Sequence, residues 1–466
     1  VSTDFDTSDK LYFEALHTDD VMNVVKKEQP LGVILQLGGQ TSLNLAEKLS
    51  KRDVRILGTP FSSIDLAEDR EKLNGLLGEM NIPTPVGFAV TDEAQAFAVV
   101  EKLGFPLVVR PSYVIGGRAM QVVYSNEEMW KYLKEAVSLS MEHPVIIDQY
   151  IEGKEIEVDA VSDGEDILIP GVMEHIERTG VHSGDSISVY PPHTISGEVA
   201  GLLAEYTERI SKSLNIVGIV NIQYAYDGEK LFVIEVNPRA SRTAPILSKV
   251  TGVPMVKLAV STMLGNKLRD SAYGTGLYRN MNFYAVKTPV FSGAKLTDVD
   301  IALGPEMKST GEALGLDSDL RTAIYKGFLA AGVNIPVRGG FYVALSPPEW
   351  TAATAATLKK YAAEGFRLYS SNGTSPFLAE NGIDAAVLGF DETLRLIGDE
   401  INGIINVPEI ANVKGGNSFD IRRKAVERGL PLLTCMDTAE AFLDAVRMKK
   451  ENIPLRYRTL EEYLSL

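Results

Sequence analysis

The chain has 466 residues, enough for two to four domains of about 100–200 residues, and its 45% hydrophobic and 23% charged content is that of a globular protein. A formal net charge of 46 − 62 = −16 and a pI near 5.0 exclude a general nucleic-acid binder while leaving room for a local basic pocket. One cysteine, Cys435, excludes an internal disulfide and any cysteine-cluster metal site, and five histidines are few for a zinc enzyme.

The start, Val1-Ser-Thr-Asp, lacks an initiator methionine and reads as processed or cut from a longer polypeptide. No apolar stretch is long enough for a membrane span and no charged-then-apolar leader is present, so the expectation is a cytoplasmic protein with neither membrane nor nucleic acid as partner. Residues 18–29 carry a helical pattern, 32–37 an apolar strand, Gly38-Gly-Gln-Thr41 a turn, then a helix runs through Leu49 to a short strand at 54–57. That alternation belongs to a doubly wound sheet. Gly38-Gly39 lacks the spacing of a dinucleotide fingerprint and reads as a tight turn.

Residues 63–80 form a charged amphipathic helix closed by Pro83 and Pro85. Short strands and helices follow to Ile151, including Pro106-Leu-Val-Val-Arg-Pro-Ser-Tyr-Val-Ile-Gly-Gly-Arg118. Here a buried strand delivers Arg110 and a loop presents Gly116-Gly117, whose backbone N–H groups could close on phosphate oxygens beside a neutralising arginine. By itself the glycine pair is better explained as a flexible surface turn; its combination with Arg110 and a later hairpin favours the phosphate reading. Along residues 148–160, Glu155, Glu157 and Asp159 alternate on one strand face, and Glu157 and Asp159 read as solvated. Gly180-Val-His-Ser-Gly-Asp-Ser186 reads as a polar loop carrying His182 and Ser183.

The richest signal is Leu231-Phe-Val-Ile-Glu-Val-Asn-Pro-Arg-Ala240, which places Glu235, Asn237 and Arg239 at alternate positions of an otherwise apolar strand. Ile219-Val-Asn-Ile-Gln-Tyr-Ala225 alternates likewise and joins it through Asp227-Gly-Glu-Lys230, a hairpin signal. A three-residue loop sets Gln223 opposite Glu235, whereas a two-residue turn sets it opposite Phe232. The first register is expected, with Gln223, Glu235 and Asn237 on one face and Val220, Ile222, Ile234 and Val236 on the core side. An acid with amide oxygens is the hard ligand set that Mg²⁺ takes, and a polar sheet edge without an ion is the competing explanation.

Residues 240–338 read as helices and irregular segments, and Val337-Arg-Gly-Gly340 marks a boundary. Beyond it, strands at 341–345, 367–370, 385–388, 403–407 and 431–434 alternate with helices as a second doubly wound unit. Ser371-Asn-Gly-Thr374 sits just past the second of these strands, where such sheets bind ligands.

Taken together, Val1-Ser-Thr-Asp-Phe-Asp-Thr-Ser-Asp-Lys-Leu-Tyr-Phe13, Ala67-Glu-Asp-Arg70, Val109-Arg-Pro-Ser-Tyr-Val-Ile-Gly-Gly-Arg118, Gly180-Val-His-Ser-Gly-Asp-Ser186 and Glu235-Val-Asn-Pro-Arg239 resemble the C-terminal half of the carbamoyl-phosphate synthase large subunit, over essentially the whole chain. The resemblance implies a multidomain α/β protein: a pre-ATP-grasp doubly wound domain truncated at its start (1–68), an ATP-grasp fold with a following helical region (69–338) and a methylglyoxal-synthase-like allosteric domain (339–466). It implies phosphorylation of carbamate by ATP to carbamoyl phosphate for pyrimidine and arginine synthesis, with Mg²⁺ or Mn²⁺ as two ions and K⁺ as a further one. Arg70 and Arg110 would contact phosphates under a glycine loop at Gly116 and Gly117. Gln149 and Ile151 would form the adenine-side hinge, with Glu155 at the ribose. Gly180, Val181, His182 and Ser183 would line the nucleotide and carbamate site, Gln223, Glu235 and Asn237 would ligate the ions, and Arg239 would face the transferred phosphoryl group. Catalysis falls to Arg239, His182 and Asn237.

Implied partners are the N-terminal half of the large subunit as carbamate source, a glutaminase small subunit and a nucleotide effector near Ser371, Gly373, Thr374 and Asn406. Family members carry a strand and glycine-rich loop before the position of Val1, and ornithine-regulated ones carry an acid where Lys287-Thr288 stands, although Glu177 and Asp185 match that site. Another ATP-grasp carboxylate ligase and a catalytically silent nucleotide-binding fragment are the alternatives.

Overall fold

A computed structural model describes residues 6–111, 120–139, 145–293, 295, 299–408 and 416–466. The first segment holds helices Thr18–Glu28, Gly39–Leu43 and Ala46–Ser50, but its two expected strands shrink to a single parallel bridge, Val33 to Ile56. The expected helix over 63–80 is two, Phe61–Glu68 and Arg70–Glu79, because Asp69 is extended between them and its carboxylate accepts from the N–H groups of Glu71 and Lys72.

Four strands, β1 (Gly87–Val90), β2 (Leu107–Pro111), β3 (Gln121–Val123) and β4 (Val145–Gln149), make an antiparallel sheet ordered β1-β4-β2-β3. The central sheet has eight strands: β5 (Lys154–Asp163), β6 (Ile167–Arg178), β7 (Ser188–Tyr190), β8 (Val217–Tyr226), β9 (Leu231–Asn237), β10 (Gly276–Leu277), β11 (Tyr284–Val290) and β12 (Gly311–Asp317). Its order is β12-β11-β7-β6-β5-β8-β9, with β10 parallel to β6. One face buries Ile156, Val158, Ile222 and Val236 under helices Arg70–Glu79 and Gly197–Ser213; the other packs Val161, Leu168 and Ile219 on helices Ala244–Thr251 and Met255–Met263. β11 and β12 were not anticipated: Lys287, Pro289, Gly311 and Gly315 interrupt the alternation that would have revealed them.

The last sheet is parallel throughout: β13 (Gly340–Leu345), β14 (Arg367–Ser370), β15 (Ala386–Val387), β16 (Ile401–Val407) and β17 (Leu432–Leu433), ordered β15-β14-β13-β16-β17 as a doubly wound unit requires. All five match the expected segments. One apolar cluster joins Val286 of β11 and Phe328 of helix Leu320–Ala330 to Phe341, Leu358 and Phe442, so the core runs on across residue 338. The terminal helix Leu460–Leu464 then returns to the central sheet, where Tyr463 is buried and its hydroxyl donates to the carbonyl of Leu316. Among the described residues no single helix is long and apolar enough to cross a membrane; helices Ala244–Thr251 and Met255–Met263, bent by 111°, are packed in the core.

Candidate active site

Gln223 pairs with Glu235 and Asn221 with Asn237, so the expected register is present, for a different reason. The loop has four residues, Tyr226 pairing with Leu231, and an extra residue at Ile234 shifts the ladder by one between Tyr224 and Gln223. Ile234 is therefore bulged and half-buried, and Val233 takes the core place expected for it. Glu235 is exposed, and its carboxylate makes no hydrogen bond or ion pair with the described residues. The Gln223 amide donates to the Ser183 hydroxyl at 3.0 Å, while the Asn237 amide reaches the Asn221 oxygen at 3.5 Å and its own oxygen accepts from Arg239 at 3.2 Å. Asn221 in turn donates to Glu157 at 2.8 Å. Asn221 shares the face of Gln223 by simple alternation, a signal the sequence offered.

Beside this hairpin, Arg70 and Arg110 meet over one carboxylate, that of Asp148, at 3.5 and 3.4 Å. Asp148 is buried at the end of an apolar strand, and sequence reasoning missed it. Gly87 makes room for it, since a Cβ there would lie 1.8 Å from Asp148 Oδ1. Arg70 also donates to the carbonyl of bulged Ile234, and its Nε is buried without a partner. Burial pulls the Arg70 guanidinium below its ordinary value, and the neighbouring Arg110 adds to this while Asp148 and Glu235 oppose it. Two guanidiniums thus share one buried carboxylate, with the charge of Glu235 also acting on Arg70.

The loop of residues 180–186 turns at Gly180 (φ +95°), where a Cβ would stand 3.2 Å from the Tyr150 ring. His182 Nδ1 accepts from the N–H of Gly184 at 3.0 Å, which puts the proton of the neutral ring on Nε2. Burial lowers its pKa, with Asp185 and Glu235 pulling the other way, so the neutral form is favoured. Asp185 is saturated by the N–H groups of Lys308 and Ser309. Val181 is half-buried within the same turn.

Beneath the hairpin, Glu157 and Asp159 are 3% and 0% exposed, which corrects their reading as a solvated face. Alternation shows that they share a side but not that β5 lies between β6 and β8 with both faces covered. Asp159 accepts from Ser241 and Thr243, and burial together with Glu157 pushes it up to about 7. Burial and the charges of Glu157 and Glu235 push Glu155 up to about 8. Burial also opposes ionisation of Glu157, but His175, Lys287 and Asn221 outweigh it and hold the group below its ordinary range. Both nitrogens of the fully buried His175 lack hydrogen-bond partners, with Glu155 at 3.9 Å and Glu157 at 3.7 Å.

Arg239 donates from Nε to Gln40 at 3.2 Å, and Gln40 donates to Glu68 at 2.7 Å. Buried Gln36 donates to the carbonyls of Ile219 and Pro238, and its own carbonyl accepts from Ala240. The first segment thus clamps the strand end that carries Arg239. Gln149 is exposed at the end of β4, and the buried Ile151 gives its carbonyl to the Thr179 hydroxyl. Gly116 and Gly117 lie outside the described residues.

At the C-terminal ends of β13, β14 and β16, Ser371, Gly373, Thr374 and Asn406 do gather at one sheet edge. Gly373 is exposed, whereas the Thr374 hydroxyl is buried against Leu345 and the Asn406 oxygen accepts from Ser418 and Arg422. Arg422 also forms a fully buried ion pair with Asp300.

The metal expectation fits the donor chemistry: Glu235 offers an unengaged carboxylate, Gln223 and Asn237 supply amide oxygens, and two arginines stand alongside. No cluster of three His, Cys, Asp or Glu side chains suited to a metal exists among the described residues, so any ion here relies on amides.

Family models agree with this architecture: "Carbamoyl phosphate synthase preATP-grasp domain" matches residues 1–66, "Carbamoyl-phosphate synthase L chain, ATP binding domain" residues 69–271, and "MGS-like domain" residues 353–434. The carbamoyl phosphate synthase large chain of Clostridium acetobutylicum is 57% identical over 465 residues, 99% of this chain and 44% of that protein; that of Caldanaerobacter subterraneus is 48% identical over 465 residues, 99% and 43%. The chain thus spans less than half the length of these curated relatives. In fold it is similar to the Campylobacter jejuni biotin carboxylase in its β,γ-ATP complex (TM-score 0.54, 16% identity, 68% of this chain and 77% of that one). The biotin carboxylase domain of Hydrogenobacter thermophilus 2-oxoglutarate carboxylase compares likewise (TM-score 0.52, 17% identity, 61% and 64%). Three matching family models in chain order and relatives 57% and 48% identical over 99% of the chain place it in the carbamoyl-phosphate synthase large-chain family.

Proposed function

We propose that the chain phosphorylates carbamate with ATP to give carbamoyl phosphate, the last step of carbamoyl-phosphate synthesis in the cytoplasm for the pyrimidine and arginine pathways. The observation that carries this is Gln223 facing Glu235 across the hairpin, with Glu235 unengaged and Arg70, which shares Asp148 with Arg110, beside it. Gln223, Glu235 and Asn237 would hold two Mg²⁺ or Mn²⁺ ions, which when bound would supply positive charge to offset that of the phosphates. Arg70 and Arg110 position the phosphate chain, with Gly116 and Gly117 over it and Gln149, Ile151 and Glu155 toward the nucleoside. The loop of Gly180, Val181, His182 and Ser183 lines the carbamate side, where His182 Nε2–H donates a hydrogen bond and takes no nucleophilic part. Arg239, held by Gln40 and Asn237, faces the transferred phosphoryl group. Phosphoryl transfer asks for such positioning and charge neutralisation more than for a covalent nucleophile.

The division at residues 68 and 338, a K⁺ requirement, the N-terminal half and glutaminase as partners, and a nucleotide effector at Ser371, Gly373, Thr374 and Asn406 belong to the same proposal. The test is ATP formation from MgADP and carbamoyl phosphate, a reverse reaction that needs neither glutamine nor the N-terminal half. ATP production supports the proposal; a folded, nucleotide-binding chain that makes none sinks it in favour of a binding fragment.

A further inference from the structure

Among the described residues, Lys287 is the one lysine in the set of largest fully buried side chains, at 0% exposure in the middle of β11. A lysine in a sheet interior loses hydration and four rotatable bonds of freedom, so the fold must use its ammonium. Its hydrogen bond runs to the main-chain oxygen of Ser183, at 2.6 Å. The acids around it, Glu157 from β5, Glu177 from β6 and Glu312 from β12, oppose the burial that disfavours its charge, while Arg242 works against it.

The rest of that loop is fixed from a different quarter. His182 N–H donates to the carbonyl of Gly304 at 2.8 Å, the Asp185 carboxylate accepts from Lys308 and Ser309 N–H groups, and Ser309 Oγ donates to the Gly184 carbonyl at 2.9 Å. Residues 304–309 therefore pin the peptides on either side of Ser183, and Lys287 holds the Ser183 carbonyl itself. The Ser183 hydroxyl, in turn, receives the Gln223 amide.

We infer that Lys287 is a positioning residue: from inside the sheet it fixes the Ser183 peptide, and through the Ser183 hydroxyl it sets the orientation of Gln223 on the metal face. This rests on the proposed function for its catalytic consequence and on geometry alone for its structural one. Lys287 does not touch substrate.

Hydrogen exchange of the nucleotide-free chain compares wild type with Lys287→Met, a side chain of similar length without charge or donors. The inference predicts exchange at residues 180–186 about tenfold faster, the population change expected on losing one charge-assisted hydrogen bond, with β7 and β12 still protected. Unchanged exchange in the loop overturns it, as does loosening throughout β7 and β12, which marks a role in folding only. In the ATP-forming reaction, the variant should lose about tenfold to hundredfold in kcat while KM for MgADP stays within about threefold; an unchanged kcat overturns it. Should Lys287→Met fail to fold, Lys287→Gln, which keeps a donor, is compared in the same two measurements. A wild type that makes no ATP counts against the proposed function, and the exchange result then stands alone for Lys287.

Discussion

The central and C-terminal sheets are both well buried, yet they bury different things. The central sheet encloses Glu155, Glu157, Asp159, His175 and Lys287, none more than 6% exposed, whereas β13, β14 and β16 enclose chiefly Phe341, Val343, Leu368, Ile404 and Ile405. Where the C-terminal sheet does bury polar groups, as at Ser370 and Asn406, they lie at or next to the ends of strands, and buried Thr374 stands at the start of the helix that follows β14. Buried charge is costly and is retained where its field or its hydrogen bonds are needed. The contrast teaches that the central sheet spends its burial on charged groups next to the hairpin of Gln223 and Glu235, and the C-terminal sheet chiefly on apolar packing.

The sharpest way to break that contrast is Glu235→Ala, expected to lower ATP formation by about 10³-fold or more while leaving the melting temperature within a few degrees, because Glu235 is exposed and unpaired. Near-normal turnover would remove the metal assignment. In the C-terminal sheet, Phe341→Ala should cost about 3–5 kcal/mol, as Phe341 is fully buried between Tyr361 and Phe366. Urea unfolding measures this, and a loss under about 1 kcal/mol would show that the shared core is looser than its contacts imply.

A smaller effect is expected from Asp148→Asn, which keeps the shape but strips the one carboxylate from Arg70 and Arg110. Stability should fall by about 1–3 kcal/mol, read from the same urea curves; no change would mean that solvent already screens the two guanidiniums.

The smallest effect is a slope with pH. Burial pushes Glu177 up to about 7 from 4.5, and Asp159 up to about 7. Between those values the folded chain keeps protons that the unfolded chain has released, so stability declines as pH rises through that window. Glu157 works in the opposite sense: held below its ordinary range, it favours folding at neutral pH, and that contribution is lost only as pH falls toward about 2. Glu177→Gln, whose carboxyl accepts from Ile187 N–H and Thr438, should remove part of the decline, on the order of 1–3 kcal/mol between pH 5 and 8. Identical slopes for variant and wild type would contradict the burial argument.

Much of this was legible in the sequence, unevenly. Every strand of the C-terminal unit was readable, because each is a short apolar run bounded by turn residues. The register of Gln223 against Glu235 was also readable, although a four-residue loop and the Ile234 bulge compensate in a way that spacing cannot disclose. Burial of Glu157 and Asp159 was not, since it depends on the strands and helices that cover β5 from far along the chain. Asp148 escaped for a similar reason: only the fold brings Arg70, Arg110 and the space left by Gly87 around one acid. Lys287 and Asn221 show the two extremes. Nothing local predicts that a mid-strand lysine reaches the Ser183 carbonyl, while Asn221 was available from alternation alone.

The most direct test of the central claim is the number of Mn²⁺ ions bound per chain in the presence of ADP, measured by electron paramagnetic resonance for wild type and Glu235→Ala. Two ions are expected on the wild type, lost in the variant with Gln223 and Asn237 still in place. An unchanged stoichiometry in Glu235→Ala would place the metal–nucleotide site elsewhere and contradict the reading of the hairpin.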